Sequence, residues 1–564
     1  MRKTSFWGTA VVLVSALFAS CGFFGGESNY GSFNPSGVVS SIKFDFSGAK
    51  AVAKLEDSSS RAAVTGDELG NIVKILEDGS IKSAVTVEGD INLSDSIRTV
   101  LKSPVSDDVF VVFGDTIWLG EEWDAETQSY NRSLLGGLIC VRPDGTALDI
   151  LKVRDDPEDY WNNYIRLQSD TVIFDGSGNL YFAGWDAGAA SAIYKFDPFS
   201  STLTQMVAAV EGTSYSRFQI TSDGSWILAQ GSRAGSNFLR AIPISNPNNF
   251  VNIYYASNSW FSDEDKWWAY DDDSGFIYYL LEGDNSGLYT SSKAGGFKDR
   301  TYRGKYIGGN LYDWFVDFFD GNIEAEDLLD KINNSCAWDI EFRCAGYKDA
   351  EALEYIKNND DEKEYIRNLL SSNDYWASWN FYDYLYIKGT DKRLTENNYY
   401  EDFISYRPSS YYGFSDFFAT STGIYAHYWS KSANNFCVIQ VTDENGNLVE
   451  RTTKISFPEG KRLDSQKYDT QIILRYALTD SSGFETGFHH LYSIDLDTGE
   501  IINRCDNVAN RNNLEIISYS VGADNLYFSA VRGTTIENHV VNLITNQSNP
   551  LSAITRKVVA FYAF

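Results

Sequence analysis

Methionine, proline and histidine are scarce, with 2, 10 and 4 residues in a chain of 564. Beside 44 Gly, 36 Tyr and 35 Phe, that shortage is the balance of many short strands joined by tight turns. Basic side chains are also few: 47 Lys and Arg face 77 Asp and Glu, a net charge of -30, which excludes nucleic acid as the expected partner. The histidines His427, His489, His490 and His539 form no His-Glu-x-x-His pattern. His489 and His490 are adjacent, so in a strand they point to opposite faces and do not grip one metal. No Cys-x-x-Cys or Cys/His spacing marks a zinc site, and there is no Gly-x-Ser-x-Gly elbow, phosphate loop or dinucleotide fingerprint. No cofactor is expected.

What is present is core-forming material. Hydrophobic residues are 43 % of the chain and aromatics 15 %, well above the composition of disordered segments. Beyond the N-terminus no apolar run is long enough to cross a membrane.

The N-terminus reads as an export signal. Met1-Arg2-Lys3 is basic, Phe6 to Phe18 is apolar, and the small residues Ala19 and Ser20 precede Cys21. Leu17-Phe18-Ala19-Ser20-Cys21 resembles a bacterial lipobox, of the looser kind found in spirochaetes, with Phe18 where Leu is commoner. The resemblance implies a signal peptide over 1–20, cleavage between Ser20 and Cys21, and acylation of Cys21. Residues 21–37, rich in Gly, Ser and Asn, are then a tether. More than one acyl chain is needed for a firm anchor, and the processed Cys21 of a lipoprotein carries a diacyl and an N-acyl group. Loss of Arg2 and Lys3 leaves 45 basic against 77 acidic side chains, so the tether is expected to make the membrane contact rather than the acidic body.

Five further cysteines, Cys140, Cys336, Cys344, Cys437 and Cys505, do not form a dense disulfide framework. Cys140 and Cys437 lie in apolar strand-like runs and read as buried thiols. Cys336 and Cys344 are too far apart on one continuous helix, at about 12 Å, so a bridge between them requires an intervening turn. Their pairing stays open.

From about residue 38 one phrase recurs: an extended run, a polar turn with Asp and Gly or Asn, and a second aromatic or aliphatic run. It appears as Thr171 to Phe182, Phe218 to Leu228, Trp268 to Tyr278 and Ile517 to Phe528. The first three copies advance by 48 and then 49 residues, from Asp175 to Asp223 to Asp272. A second phrase alternates with it, at Ile72 to Ile81, Leu138 to Thr146, Ala192 to Pro198, Val438 to Asn447 and Leu491 to Glu500. Two hairpins per period make a four-stranded unit, and a repeat of about 45–55 residues predicts a β-propeller. One small sheet cannot cover both of its faces, whereas neighbours around an axis cover each other. Units are expected to begin near residues 38, 96, 166, 216, 266, 411, 464 and 513, and the run Lys557 to Tyr562 to complete a blade with N-terminal strands. The expected fold is therefore all-β, a β-propeller of seven or eight four-stranded blades with a helical insertion.

The Asp-x-x-Gly-Asn-Leu-Tyr phrase at 175–181 resembles NHL-type propellers, and Tyr-x-Ile-Asp-x-x-Thr-Gly at 492–499 resembles PQQ-like and YVTN-like blades. Together with the lipobox, the chain resembles bacterial propeller lipoproteins. That implies blades over 38–320 and 407–564 on a cell-envelope body, periplasmic or surface-exposed, anchored to the inner or outer membrane.

Between 321 and 406 the pattern changes. Asp327 to Ile332, Ala350 to Ile356 and Glu364 to Leu370 space apolar residues at three or four, predicting three short amphipathic helices. They precede an aromatic segment containing Trp376, Trp379, Tyr382 and Tyr384. Long propeller insertions map to loops on one face, so these four residues are the candidate binding surface, and packing of the helices onto the propeller is the structural alternative. Asp271 to Asp273, Asp313 with Asp317 and Asp320, and Asp443 to Asn447 raise the question of calcium, although the last lacks the spacing of a calcium loop. No metal ligand set is expected.

The functional expectation is a non-catalytic protein-binding or assembly scaffold with an envelope or surface protein partner. The alternative is a glycan receptor or carbohydrate-active enzyme using acidic and aromatic residues, among them Trp260, Trp267 and Trp268.

Overall fold

The computed structural model describes residues 32–564 except 36, 40–41, 57–70, 88–95, 115–116, 125–128, 155–163, 186–189, 258–267, 282–286, 305–310, 329–353, 355–356, 359, 362, 365–366, 368–413, 421, 431–434, 441, 444–454, 457–460, 469, 481–484 and 497. Ser20, Cys21, Trp376, Trp379, Tyr382, Tyr384, Trp260, Trp267, Cys336 and Cys344 lie outside the described residues. Two compact units divide the chain: residues 1–52 with 59–258, and residues 53–58 with 259–564.

The protein is all-β and of β-propeller type. Among the described residues there are eight antiparallel sheets of four or five strands. In the first unit, one sheet runs in the order Gly37–Val39, Ala147–Asp149, Leu138–Val141, Val109–Phe113, Ile97–Lys102. A second runs Ser32–Phe33, Thr202–Glu211, Ala190–Asp197, Leu180–Trp185, Arg166–Phe174, and a third runs Thr213–Ile220, Trp226–Arg233, Ser236–Pro243, Val251–Ser257. A ribbon of Ile117–Asp124 and Ser129–Leu135 stands between two strands of the first.

Period-2 alternation explains why these sheets stack. On one face of the second sheet, Leu180, Phe182, Ala192, Tyr194 and Phe196 join Phe110, Val112, Leu138 and Cys140 of the first. On its other face Tyr181, Ala183 and Ile193 join Tyr215, Phe218, Ile227, Ala229 and Phe238 of the third. Central strands are therefore buried on both faces, as Val109–Phe113 is throughout. Each such Phe or Leu contributes about 1.5–3 kcal/mol on burial.

The Asp-Gly phrases are turns whose donors are satisfied locally. Asp175 Oδ1 accepts the amides of Ser177 and Asn179, both at 2.9 Å, and Asp144 and Asp223 do the same for Thr146 and Ser225. Gly178 follows at φ +82°, a conformation that disfavours any side chain.

Within the segment read as a tether, Ser32 pairs with Thr204 and Phe33 with Leu203, while Gly37–Val39 pairs with Ala147–Asp149. Phe33 packs against the core between the first and second sheets. A Cβ on Gly37 would lie 2.9 Å from that of Asp149, so only glycine allows the close approach.

In the second unit four sheets begin at Trp268, Phe414, Lys461 and Glu515, each four-stranded and in sequence order. The last strand is Val558–Ala563, and residues 53–58 belong to the same unit. The Glu56 amide donates to the Lys557 carbonyl at 2.8 Å, and Lys557 Nζ lies 3.3 Å from Glu56 Oε1.

A helix over Leu311–Phe319 precedes the segment read as helical. Phe315 and Phe318 are buried, with Ala325 and Leu328 of the next helical stretch. Further helical positions are described at 354, 357, 360, 361, 363, 364 and 367. No helix among the described residues is long and apolar enough to cross a membrane.

Candidate functional site

The second unit carries an open cavity of about 510 Å³ lined by Val508, Asn510, Arg511, Asn512 and Asn513. It forms where the chain leaves the short strand Ile501–Asn503 and crosses to Glu515–Gly522. Two apolar residues pin the crossing loop: Cys505 and Val508 enter the core beside Leu491, Leu514 and Ile516. Arg504 is buried at its start, donating from Nε to Ser493 Oγ at 2.7 Å and from Nη1 to the Leu543 carbonyl at 2.8 Å. Asn510 takes the left-handed conformation at φ 53°, which asparagine tolerates, and starts a single 3-10 turn.

Arg511 Nη1 contacts Asp506 Oδ1 at 2.8 Å, and its side chain stays 43 % exposed, so part of the guanidinium fork is open to a ligand. Asn510, Asn512 and Asn513 share the lining.

Near the loop, His490 is buried, its Nδ1 3.3 Å from Tyr492 Oη and 3.1 Å from Asn503 Nδ2. Burial, and then the positive Arg511, hold the imidazole below its ordinary pKa, although the Asn512 side chain, Asp506 and the Arg511 backbone favour the proton. Burial also pushes the Cys505 thiol up to about 12, which leaves it a protonated, unreactive core residue.

His489 and His490 do lie on opposite sides of their strand. His489 Nδ1 accepts the Ile516 amide at 3.0 Å and takes no part in the cavity. His539 stacks on Phe528 with ring centroids 5.0 Å apart. Among the described residues no three His, Cys, Asp or Glu side chains group as a metal site. Asp271 Oδ1 accepts the Asp273 amide at 3.1 Å, as in any Asx turn, and Asp317 Oδ1 accepts from Asn322 Nδ2 at 3.3 Å. Trp268 is fully buried. Nothing in the sequence reading pointed to the cavity; its only signal is the run Asn507-Val508-Ala509-Asn510-Arg511-Asn512-Asn513, polar enough to pass for a linker.

The fold and this pocket define a β-propeller protein with a polar cleft. No family model and no curated relative matches the sequence. Among solved structures it is similar to a prolyl endopeptidase at 11 % identity and TM-score 0.39, over 81 % of this chain and 50 % of that one. It is similar also to a puromycin-hydrolyzing peptidase of Mycobacterium tuberculosis, at 9 % identity and TM-score 0.39 over 82 % and 54 %. A third is the β-propeller domain of the Trilobed protease of Pyrococcus furiosus, at 8 % identity and TM-score 0.32 over 67 % and 82 %. The chain thus spans about half the length of the first two. The expectation of a non-catalytic protein-binding or assembly scaffold is corrected by these matches, which are to peptidases.

Proposed function

We propose that this chain is a lipid-anchored cell-envelope propeller of peptide-processing type, whose 508–513 cavity takes the free carboxylate end of a short peptide. The observation that carries the reading is the cavity itself, lined by the part-exposed Arg511 guanidinium with Asn510, Asn512, Asn513 and Val508. An arginine fork matches a carboxylate in two parallel hydrogen bonds, and carboxamides match the peptide groups that follow it. The cavity volume falls in the usual range of small-ligand pockets. The likeness to peptidases names the same substrate class but is too distant to support the reading. Envelope placement and the anchor rest on the basic N-terminus, the apolar run and Cys21.

Titration of the mature chain with tripeptides bearing a free or an amidated C-terminus tests the pocket. Binding of the free acid alone, weakened roughly tenfold or more by Arg511→Ala, is expected, since a hydrogen bond to a charged group is worth about 1.5–3 kcal/mol. Equal affinity for acid and amide, or no binding, refutes it. Cleavage products in the same samples, read by mass spectrometry, report whether the chain also hydrolyses what it binds. Exposure of the body to protease on intact cells assigns the leaflet.

A further inference from the structure

We infer that Ser548, His539 and Glu537 form a second site, within the second unit, that hydrolyses carboxylic esters through an acyl-serine. The inference is independent of the carboxylate reading of the 508–513 cavity, which uses none of the three.

Sheet register puts the three on one face. Glu537 and His539 are two residues apart in the strand Thr535–Asn542, so their side chains point the same way. Ser548 stands opposite Val541 in the neighbouring strand Ser548–Pro550 and shares that face. Ser548 Oγ lies 3.2 Å from His539 Nδ1. On the other side of the ring, Nε2 faces Glu537 Oε2 at 3.6 Å. That is longer than a hydrogen bond, and such contacts tighten when the ring takes up a proton beside the carboxylate. The second carboxylate oxygen, Oε1, is held by Arg532 Nη2, and Arg532 Nη1 donates to the Ala509 carbonyl at 3.3 Å. Phe528, opposite His539 across the ladder, stacks on the imidazole with ring planes 17° apart and so fixes its plane. Hydroxyl, imidazole and carboxylate follow one another in the order of a nucleophile, its base and the group that orients the base.

The protonation state suits the base. Burial, the largest cause, holds His539 below its ordinary 6.5 against the pull of Glu537, and Arg532 acts in the same direction as burial, so the ring is neutral at pH 7. With its proton on Nε2, toward Glu537, the ring leaves Nδ1 to accept from Ser548. Ser548–Pro550 is the outermost strand of its sheet, and Asn549 and Pro550 are exposed. The Leu551 amide donates to the Asn538 carbonyl at 2.7 Å, and the Asn542 amide to the Gln547 carbonyl at 3.0 Å. Ser548 falls in an unbonded row between these two, so its own N–H turns to the open edge and serves as the oxyanion donor. Oγ attacks the ester carbonyl carbon as its proton passes to Nδ1, and the carbonyl oxygen becomes the oxyanion. The bond from that carbon to the alcohol oxygen then breaks, and Nδ1 returns the proton to the leaving alcohol. Water, deprotonated by Nδ1, cleaves the acyl-serine in the same way, releasing the acid and restoring the hydroxyl. A single donor at an open edge suits an ester, whose alcohol leaves more readily than an amide nitrogen.

The test treats the full chain with a fluorophosphonate, which phosphonylates activated serines, and assays it separately with p-nitrophenyl acetate. Peptide mass mapping should place the phosphonyl group on Ser548, and Ser548→Ala should abolish labelling and turnover. His539→Gln should lower both by roughly 100-fold or more, the usual worth of a positioned base. Glu537 is a positioning residue: Glu537→Gln should lower kcat with KM little moved. It should also shift the acid limb of the pH–rate profile downward, because the charge that favours the imidazolium is gone; Glu537 and Arg532 are the charged groups against the ring. Circular dichroism and melting show that each variant is folded, and labelling of the wild type decides the matter where one is not. A wild type that takes no label, a label on another serine, turnover that survives Ser548→Ala, or an unchanged profile in Glu537→Gln overturns the site.

Discussion

Asp149 accepts the Gly136 amide at 2.6 Å from a position only 2 % exposed, beneath the point where Gly37 crosses it. A second amide, that of Leu151, reaches its other oxygen at 3.2 Å.

Burial pushes the Asp149 carboxyl up to about 7, against the opposing pull of the Gly136 and Leu151 amides. The folded state then binds this proton more tightly than the unfolded chain. Its contribution to stability is complete below pH 3.8 and is lost as pH rises toward 7, a loss on the order of 4 kcal/mol for about three units. Denaturant midpoints from pH 4 to 8 should fall more steeply for the wild type than for Asp149→Asn. The variant should be weaker at low pH by about 1–3 kcal/mol, because a carboxamide turns one donor toward a backbone amide. Parallel curves would exclude the assignment.

Acid should act in the opposite direction through His489 and His490. Burial, the first cause at each, holds both below the usual 6.5, followed by Arg475 for His489 and Arg511 for His490. Their contribution is present above pH 6.5 and is lost as pH falls through the lowered values. His489→Gln keeps an acceptor for the Ile516 amide and removes the titration, so its stability should change less between pH 7.5 and 5 than that of the wild type. Chemical denaturation across that interval checks the slope.

A Cβ on Gly178 would lie 2.3 Å from Val105 Cγ2, and the residue's φ of +82° strains any side chain. Gly178→Ala should cost about 2–3 kcal/mol, combining the left-handed penalty of about 1–2 kcal/mol with a clash that Val105, itself partly exposed, relieves in part. Adding Val105→Ala should recover the clash and leave the backbone penalty. A double-mutant cycle measured by thermal or denaturant unfolding separates the two.

Removal of residues 557–564 takes away Val558, Phe561 and Tyr562, all buried, and the Glu56 amide's acceptor. At about 1.5–3 kcal/mol for each side chain the loss approaches the whole stability of a typical domain, and it bares a strand edge. The truncated chain should be insoluble or melt without cooperativity, as solubility and calorimetry would show.

Much of the fold was legible because it is local. Sheets begin at Ile97, Arg166, Thr213, Trp268, Phe414, Lys461 and Glu515, close to the expected 96, 166, 216, 266, 411, 464 and 513, since an Asp-Gly turn declares itself within five residues. The Leu311–Phe319 helix was missed, although Phe315 with Phe318 and Phe319 recurs at helical spacing, because the aromatic run reads equally as strand.

The sequence by itself determined the strand-and-turn grammar and the burial of residues such as Cys140, because these depend on neighbours along the chain. Tertiary structure alone decided that Tyr181 and Phe182 serve opposite cores, that Ser32 is strapped to Thr204, and that His490 lies near a cavity lined by Arg511. Those relations join residues through sheet register and loop crossing, where a shift of one position exchanges the two faces of a strand, and no pattern within a single strand records which face meets which neighbour.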